Sequence, residues 1–312
     1  MNKNNSLIHS FTAILSNVIK IALEAGNKIM ETYKKDFSVE YKDDKSPLTE
    51  ADRISNEIIC KGLSQLTPTP TPIRIPILSE ENKEILYSER KDWELFWLVD
   101  PLDGTKEFIK KNGEFTVNIA LIHKDTPVLG VVYAPAINTL YYAAKGLGAY
   151  KAVNGEVVNS EWGIKELIES SVKLPVERDD KDLIVVASRS HINKETQEFI
   201  DNLKSKIQNL KFISKGSSLK ICLVAEGKAD IYPRLGPTME WDTAAAHAIV
   251  KEAGGEIYQY DSSTFNVQRS NLIQHPKFNI QNPQPNTQYL TPLKYNKENL
   301  LNPYFIVLST KH

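Results

Sequence analysis

The apolar run Leu95-Phe96-Trp97-Leu98-Val99 breaks off at Asp100-Pro101-Leu102-Asp103-Gly104-Thr105, and this junction constrains the fold more than any other segment. A short apolar run bounded by a turn reads as a buried strand. Proline turns the chain, a second carboxylate arrives three residues after the first, and Gly104-Thr105 opens a short helical stretch through Phe108. Acids at a strand terminus suit a hard divalent cation, and the free N–H groups of a helix start suit a phosphate oxygen. The competing reading is a turn in which Asp100 caps and Asp103 is an N-cap. Three further junctions weigh against it. Ile77-Leu78-Ser79-Glu80-Glu81 is another short apolar strand ending in acids, Trp241-Asp242 heads a helix through Ala253, and Thr49-Glu50-Ala51-Asp52 starts a helix through Leu66. Taken together, these junctions fit a polynuclear metal site better than a set of independent caps.

Around these junctions the chain alternates. Phe11, Ile14, Leu15, Val18, Ile19, Ala22, Ile29 and Met30 recur at helical spacing and predict an amphipathic first helix. Thr67-Pro68-Thr69-Pro70-Thr71-Pro72 reads as an extended exposed connection. Phe115 to Ile122 and Val128 to Ala134 form a hairpin pattern about Lys124-Asp125, and Leu140 to Ala143 adds a strand. Gly146, Gly148, Asn154 and Gly155 read as turns. Beyond them, strands at Leu183–Ala187, Ala229–Tyr232 and Glu256–Tyr260 alternate with helices at Lys194–Gln208, Ser217–Glu226 and Asp242–Ala253. That alternation argues a layered α/β architecture. The more polar, less periodic stretch from Asn159 to Asp182 places a division near residue 160, giving an N-terminal α+β subdomain (1–160) and a C-terminal α/β subdomain (161–312). Residues 261–292, rich in Asn, Gln, Ser and Pro, read as a long surface loop.

Composition narrows the partners. Lys and Arg total 38 against 39 Asp and Glu, a net charge of −1, so the basic excess of a nucleic-acid polymer binder is missing. A small phosphorylated ligand held by a few local charges stays compatible with it. The two cysteines, Cys60 and Cys222, are too few and too far apart for a disulfide framework or a Cys-based zinc site. No apolar run approaches the ~20 residues of a membrane span and no signal-peptide layout stands at the start, so a cytoplasmic protein is expected. Peripheral association with the inner membrane is left open, as are monomer and homodimer.

Leu48-Thr49-Glu50-Ala51-Asp52, Ser79-Glu80-Glu81, Asp100-Pro101-Leu102-Asp103-Gly104-Thr105 and Trp241-Asp242-Thr243-Ala244-Ala245 stand in the order of the inositol monophosphatase superfamily. The chain resembles its 3'(2'),5'-bisphosphate nucleotidase branch. The likeness runs from the first helix to Tyr260 and resumes at Tyr295-Asn296-Lys297-Glu298-Asn299-Leu300-Leu301-Asn302-Pro303. It implies a layered αβαβα sandwich of two subdomains, the metal-dependent, lithium-sensitive sugar phosphatase type. It also implies Mg²⁺, two ions or three, held by Glu80, Asp100, Asp103, Asp242 and the Leu102 carbonyl. Asp52 and Thr105 would orient or deprotonate the attacking water, with Asp52 a candidate for a further metal. Glu80, Leu102, Asp103, Gly104, Thr105 and Asp242 would also face the substrate. The Thr-Pro repeat and the polar stretch of residues 262–291 depart from the family pattern.

The substrate side rests on the second half. Ser188-Arg189-Ser190-His191 closes a strand, and Lys215-Gly216-Ser217-Ser218-Leu219-Lys220 opens a helix. Ser217-Ser218 also reads as a plain N-cap and His191 as a turn residue. Gly216 would allow backbone to approach a ligand closely. In the bisphosphate nucleotidases the positions matching Ser188, His191, Gly216 and Lys220 hold the nucleotide. Arg234 stands about where inositol monophosphatases carry a glutamate that contacts ring hydroxyls, and a guanidinium there can bind a second phosphate through its fork. A surface ion pair is the alternative for it. The resemblance thus implies hydrolysis of the 3'-phosphate of adenosine 3',5'-bisphosphate to AMP, with 3'-phosphoadenylyl sulfate as a second substrate, in the recycling that follows sulfate activation. An inositol or sugar monophosphatase, and a catalytically silent nucleotide-binding protein, are the rival readings.

Overall fold

The computed structural model describes residues 3–42, 47–66, 74–153, 163–179, 182–188, 193–205, 207, 209–260 and 290–309, with the backbone alone for 3–10. The chain begins α1 (Lys3–Tyr33), β1 (Val39–Tyr41), β2 (Pro47–Thr49), α2 (Glu50–Gln65), β3 (Ile77–Ser79), α3 (Tyr87–Arg90), β4 (Leu95–Asp103) and α4 (Thr105–Ile109). It continues with β5 (Thr116–His123), β6 (Thr126–Ala134), β7 (Thr139–Ala144), β8 (Gly148–Val153), α5 (Ile164–Glu169) and β9 (Val172–Leu174). The remainder is β10 (Leu183–Ser188), α6 (Lys194–Lys204), β11 (Leu210–Lys215), α7 (Leu219–Ala225), β12 (Ile231–Arg234), α8 (Glu240–Glu252), β13 (Glu256–Gln259) and β14 (Phe305–Leu308).

Two sheets organise these elements. The larger has seven strands in the order β3-β4-β5-β6-β7-β8-β9, with β3 parallel to β4 and every other neighbour antiparallel. It is covered on both faces, which is why β4 and β5 read as continuous apolar runs. Trp97, Val99, Val117, Ile119 and Leu121 point to one side and pack with Leu15, Val18, Ala22 and Ile59 of α1 and α2. Their alternates Phe96, Leu98, Ala120 and Ile122 point to the other and pack with Leu219, Cys222, Ala245 and Ile249 of α7 and α8. The second sheet, ordered β11-β10-β12-β14-β13, closes over the far side of those two helices through Val186, Tyr232, Ile257, Phe305 and Val307. Its outer face carries Val185, Ile231 and Ile306 against Phe199 of α6. The layers are therefore helix, sheet, helix, sheet, helix, the αβαβα sandwich that the resemblance implies.

Helix α8 lies deepest. Ile249 and Val250 are wholly buried, and burial of a side chain of that size contributes roughly 1.5–3 kcal/mol. It can approach the larger sheet because Gly130 of β6 has no side chain: a Cβ there would stand 2.1 Å from the Ala245 carbonyl oxygen. Ala245 and Ala248 stand against Gly130, and the helix packs along β4, β5 and β6, which brings Asp242 in its first turn to Glu80 and Asp100.

Several local readings shift. Gly148–Val153, read as part of a turn region, is a strand paired with β7, where Tyr150 stacks on Tyr142 at a centroid distance of 5.5 Å. Strands β9, β11 and β14 lie outside the strands read from the sequence; β11 is a sheet edge with Lys211, Phe212 and Ser214 exposed, and the apolar run Phe305–Leu308 is β14, held between β12 and β13. The strand read at Ala229–Tyr232 runs Ile231–Arg234, and the helix read from Ser217 begins at Leu219 because Ser217 takes a left-handed φ of 47°. The change from one sheet to the other falls between Leu174 and Leu183, beyond the division drawn at residue 160. The Thr-Pro repeat and the polar stretch lie almost wholly outside the described residues. Cys60 is half-buried on α2 and Cys222 buried on α7, both free thiols. Among the described residues no helix is long and apolar enough to cross a membrane.

Candidate active site

The parallel pairing of β3 with β4, Ser79 opposite Val99, brings Glu80 and Asp100 out at the same sheet end, with the Glu80 amide donating to the Val99 carbonyl at 3.1 Å. Asp242 comes from across the layer, in the first turn of α8, where one carboxylate oxygen accepts the Met239 amide at 2.9 Å. One carboxylate oxygen each from Glu80, Asp100 and Asp242 lie within 4.8 Å of one another. Asp103 follows a register shift in the β4–β5 ladder and accepts the Ser218 amide at 2.5 Å and the Asn118 amide nitrogen at 3.4 Å. The junctions that the sequence singles out thus converge on one place.

Their electrostatics are those of a site built for a cation. Asp100 is 1 % exposed, and its one hydrogen bond among the described residues comes from the Leu102 amide at 3.1 Å. Burial raises its pKa well above the usual carboxylate range, and Glu80, Asp103 and Asp242 raise it further. Asp242 is raised well above the same range by burial and then by Asp103 and Glu80; Glu80 and Asp103 are raised chiefly by burial. A protein cation reaches the rim: Lys42 Nζ bridges Glu80 at 3.0 Å and Glu81 at 2.6 Å. Hard oxygen donors, crowded and buried, fit a divalent cation such as Mg²⁺. Each ligand must be deprotonated to hold the ion, and these pKa values start high. Mg²⁺ affinity should therefore fall, and proton release on binding rise, as pH drops from about 7.5 to about 5.5. Titration calorimetry in buffers of different ionisation heat measures both, and a flat affinity with no proton release would contradict this account.

Asp52 and Thr105 meet beside the cluster. Asp52 is the N3 residue of α2 in a capping box, one oxygen accepting the Thr49 amide at 2.7 Å and the Thr49 hydroxyl at 2.6 Å. Its other oxygen faces the Thr105 hydroxyl at 3.2 Å, which also lies 3.3 Å from the Leu102 carbonyl. The single hydroxyl proton serves one of these acceptors at a time. Burial raises the Asp52 pKa despite the two Thr49 bonds.

The carboxylates share an open cavity of about 270 Å³ with Gly104, Ser188, Gly216, Lys220 and Arg234. Lys220 is buried, its ammonium 2.5 Å from the Ser217 carbonyl, and burial lowers its pKa to about 8. Arg234 is held along one edge, Nε donating to the Thr238 hydroxyl and a terminal nitrogen to the Pro237 carbonyl, each at 2.6 Å. Its alternative reading as one half of a surface ion pair finds no acidic partner among the described residues. Gly216 lines the cavity as well as meeting a packing limit, since a Cβ there would lie 2.9 Å from the Glu114 carbonyl oxygen and 3.0 Å from Glu107 Cγ. Ser218 sits at the N-cap of α7 without bonding that helix through its hydroxyl, which pairs instead with Thr116 at 2.8 Å and Asn118 at 2.9 Å. His191 lies outside the described residues. Sequence reasoning missed Glu114, which accepts the Gly216 amide at 2.8 Å, and the cavity-lining Tyr232, Thr238 and Phe305. None carries a local signal, since each matters through a partner distant in sequence.

The sequence matches the profile of the inositol monophosphatase family over residues 12–293. It is 44% identical over 269 residues to the 3'(2'),5'-bisphosphate nucleotidase CysQ of Salmonella typhimurium, covering 86% of this chain and 99% of that protein. A crystal structure of CysQ from Bacteroides thetaiotaomicron superposes with a TM-score of 0.76 at 44% identity, over 99% of this chain and 98% of that one. An inositol monophosphatase from Thermotoga maritima shares the fold, with a TM-score of 0.61 at 21% identity over 94% and 90% of the two chains.

Proposed function

Since the chain belongs to the inositol monophosphatase family, a family of metal-dependent phosphatases, we propose that it hydrolyses the 3'-phosphate of adenosine 3',5'-bisphosphate to AMP and phosphate. Its likeness to the CysQ nucleotidases supports this reading, and 3'-phosphoadenylyl sulfate fits as a second substrate. The observation that carries it is the pair Lys220 and Arg234 in the same cavity as the carboxylates. An inositol monophosphate has one phosphate for the metal centre. A bisphosphate brings a second, and these two cations meet it.

Glu80, Asp100, Asp103, Asp242 and the Leu102 carbonyl hold two Mg²⁺ ions in this reading, with Asp52 a candidate for a third. When bound, such ions cancel phosphate charge and acidify water. The chain's own groups do the rest. Thr105, donating its proton to Asp52, turns its lone pairs towards the cavity and orients a water. Asp52, its pKa raised by burial, is placed to take the proton through Thr105. The water oxygen bonds to phosphorus as the P–O3' bond breaks, one proton of that water passes to Asp52, and the departing 3'-oxygen takes a proton from a solvent water to become the hydroxyl of AMP. Among the described residues lining the cavity there is no Cys or His, so water is the nucleophile in this account. The chain works as two subdomains, most metal ligands on the first, the nucleotide-binding groups and Asp242 on the second.

Phosphate release with Mg²⁺ from adenosine 3',5'-bisphosphate, inositol 1-phosphate and AMP tests the proposal. The bisphosphate should be preferred over inositol 1-phosphate by about 10²-fold or more in kcat/KM, with AMP untouched. Equal or faster release from inositol 1-phosphate would overturn the role given to Lys220 and Arg234.

A further inference from the structure

The segment Tyr295–Asn302 contributes nothing to the cavity lining, yet it is among the most heavily bonded stretches of the C-terminal half. It embraces the start of α8 on both sides of Asp242. Glu240, wholly buried, accepts the Asn296 amide at 2.7 Å, the Lys297 amide at 3.0 Å and the Lys297 ammonium at 2.6 Å, and its own amide donates to the Leu300 carbonyl at 2.9 Å. Asn302 donates to the Met239 carbonyl at 2.8 Å and to the Thr243 hydroxyl at 3.1 Å, and its amide donates to the Thr238 carbonyl at 2.8 Å. Lys297 also donates to the Asn302 side-chain oxygen at 3.2 Å, joining the two grips. The residues from Thr238 to Thr243 other than Asp242 and Trp241 are thus each fixed by this segment.

The other side of the segment is anchored on α3, in the connection between β3 and β4. Arg90, 2 % exposed and on the short helix α3 that follows β3, donates to the Asn296 side-chain oxygen and the Lys297 carbonyl, both at 2.8 Å, and to the Glu298 carbonyl at 2.9 Å. Asn296 returns a bond to the Arg90 carbonyl at 2.8 Å. Glu80 and Asp242 belong to different layers and meet only across the cavity. One segment is tied to α3, in the connection that joins the strand before Glu80 to the strand that carries Asp100, and wrapped about the start of α8.

We infer that residues 295–302 form a strut that sets the gap between Asp242 and the Glu80–Asp100 pair, with Lys297 and Asn302 as positioning residues for the metal centre. The inference rests on the reading that these carboxylates hold Mg²⁺. Carboxylates grip a small, geometrically demanding ion well only when their spacing is fixed in advance, so loosening the strut weakens metal binding before it alters contacts with the nucleotide.

Calorimetric titration of the full chain with Mg²⁺ alone is the test. Lys297→Met and Asn302→Ala should weaken Mg²⁺ binding by about 10-fold or more, while Lys297→Arg, which keeps the charge and the donors, should stay within about threefold of wild type. KM for adenosine 3',5'-bisphosphate at saturating Mg²⁺ should change less than about twofold in the same variants, a split that a general loss of stability would not give. Lys297→Met leaves a buried carboxylate alone and is at risk of misfolding. The pair Glu240→Gln with Lys297→Met removes both charges, and with Asn302→Ala it keeps the question answerable. Folded variants with wild-type Mg²⁺ affinity would overturn the strut. A wild-type protein that binds no Mg²⁺ would overturn the metal reading itself, and the strut with it.

Discussion

Asp100→Asn should abolish phosphate release and, in the presence of a chelator, raise the melting temperature. Both effects come from the same crowding. Asp100 is buried at the centre of the cluster, and its ionised form is disfavoured first by burial and then by Glu80, Asp103 and Asp242. Its folded pKa lies above the ordinary value of 3.8, so stability from this group is fully present below that value and is lost as pH rises through the folded pKa. At neutral pH the metal-free protein therefore carries a penalty that asparagine, of nearly the same shape and able to accept the Leu102 amide, removes. For 312 residues a gain of about 1–2 kcal/mol corresponds to roughly 1.5–3 °C. It should shrink towards zero at about pH 4, where the wild-type carboxyl is protonated as well. Excess Mg²⁺ should reverse the order, stabilising the wild type and leaving the variant unmoved. Turnover should drop by about 10³-fold or more, since a charge that holds the ion is gone. Melting curves with chelator and with Mg²⁺, beside a phosphate assay, decide the matter. A variant less stable than wild type in chelator would show that the cluster is not strained by its own charge.

Arg234→Glu should separate the two kinds of substrate. Arg234 keeps one edge of its guanidinium on Thr238 and Pro237, while the remaining terminal nitrogen is left without a hydrogen-bond partner among the described residues. Charge reversal there should lower kcat/KM for adenosine 3',5'-bisphosphate by about 10²–10³-fold, the range for losing one partner of a hydrogen-bonded charge pair. Inositol 1-phosphate, with no second phosphate to repel, should change by only a few-fold. Arg234→Lys tests the fork, because a lysine keeps the charge but cannot hold both the loop and a phosphate in a plane. An equal loss on both substrates would place Arg234 on the transferred phosphate or on loop packing, and would remove the main support for a bisphosphate substrate.

The carboxylates were legible because each ends one element or begins another, where turn and cap chemistry leaves a mark in a single stretch of sequence. Asp100 follows an apolar run and precedes a proline, and Asp52 stands three residues after a capping threonine. The layered fold was legible for a related reason, since the burial of both sheet faces makes Leu95–Val99 of β4 and most of β5 apolar. What escaped is held by partners far apart in the chain. Gly216 reads as an approach to a ligand, and its second constraint, the Glu107 and Glu114 atoms that a Cβ would meet, is seen only in the fold. Ser217 reads as a plain cap, and its hydroxyl does accept the Leu219 amide at 3.4 Å, but from a left-handed backbone that the sequence does not announce. Glu240, next but one to a metal-ligand candidate, looks like a first-turn acid, and only its contact with Lys297 shows that it is buried. Periodicity reports local structure, and such pairs leave no period.

Helices α7 and α8 are shared by both sheets, with Phe96, Leu98 and Ile122 on one side and Val186, Ile257 and Val307 on the other joined in a single apolar core. The molecule therefore cannot open like a book. Parting the sheets would strip apolar surface from Ile249 and Val250 on at least one side, a far larger cost than a small ligand's contacts return. A nucleotide entering the cavity therefore meets two sheets already joined through α7 and α8, with the two layers that carry Glu80 and Asp242 held together before it arrives.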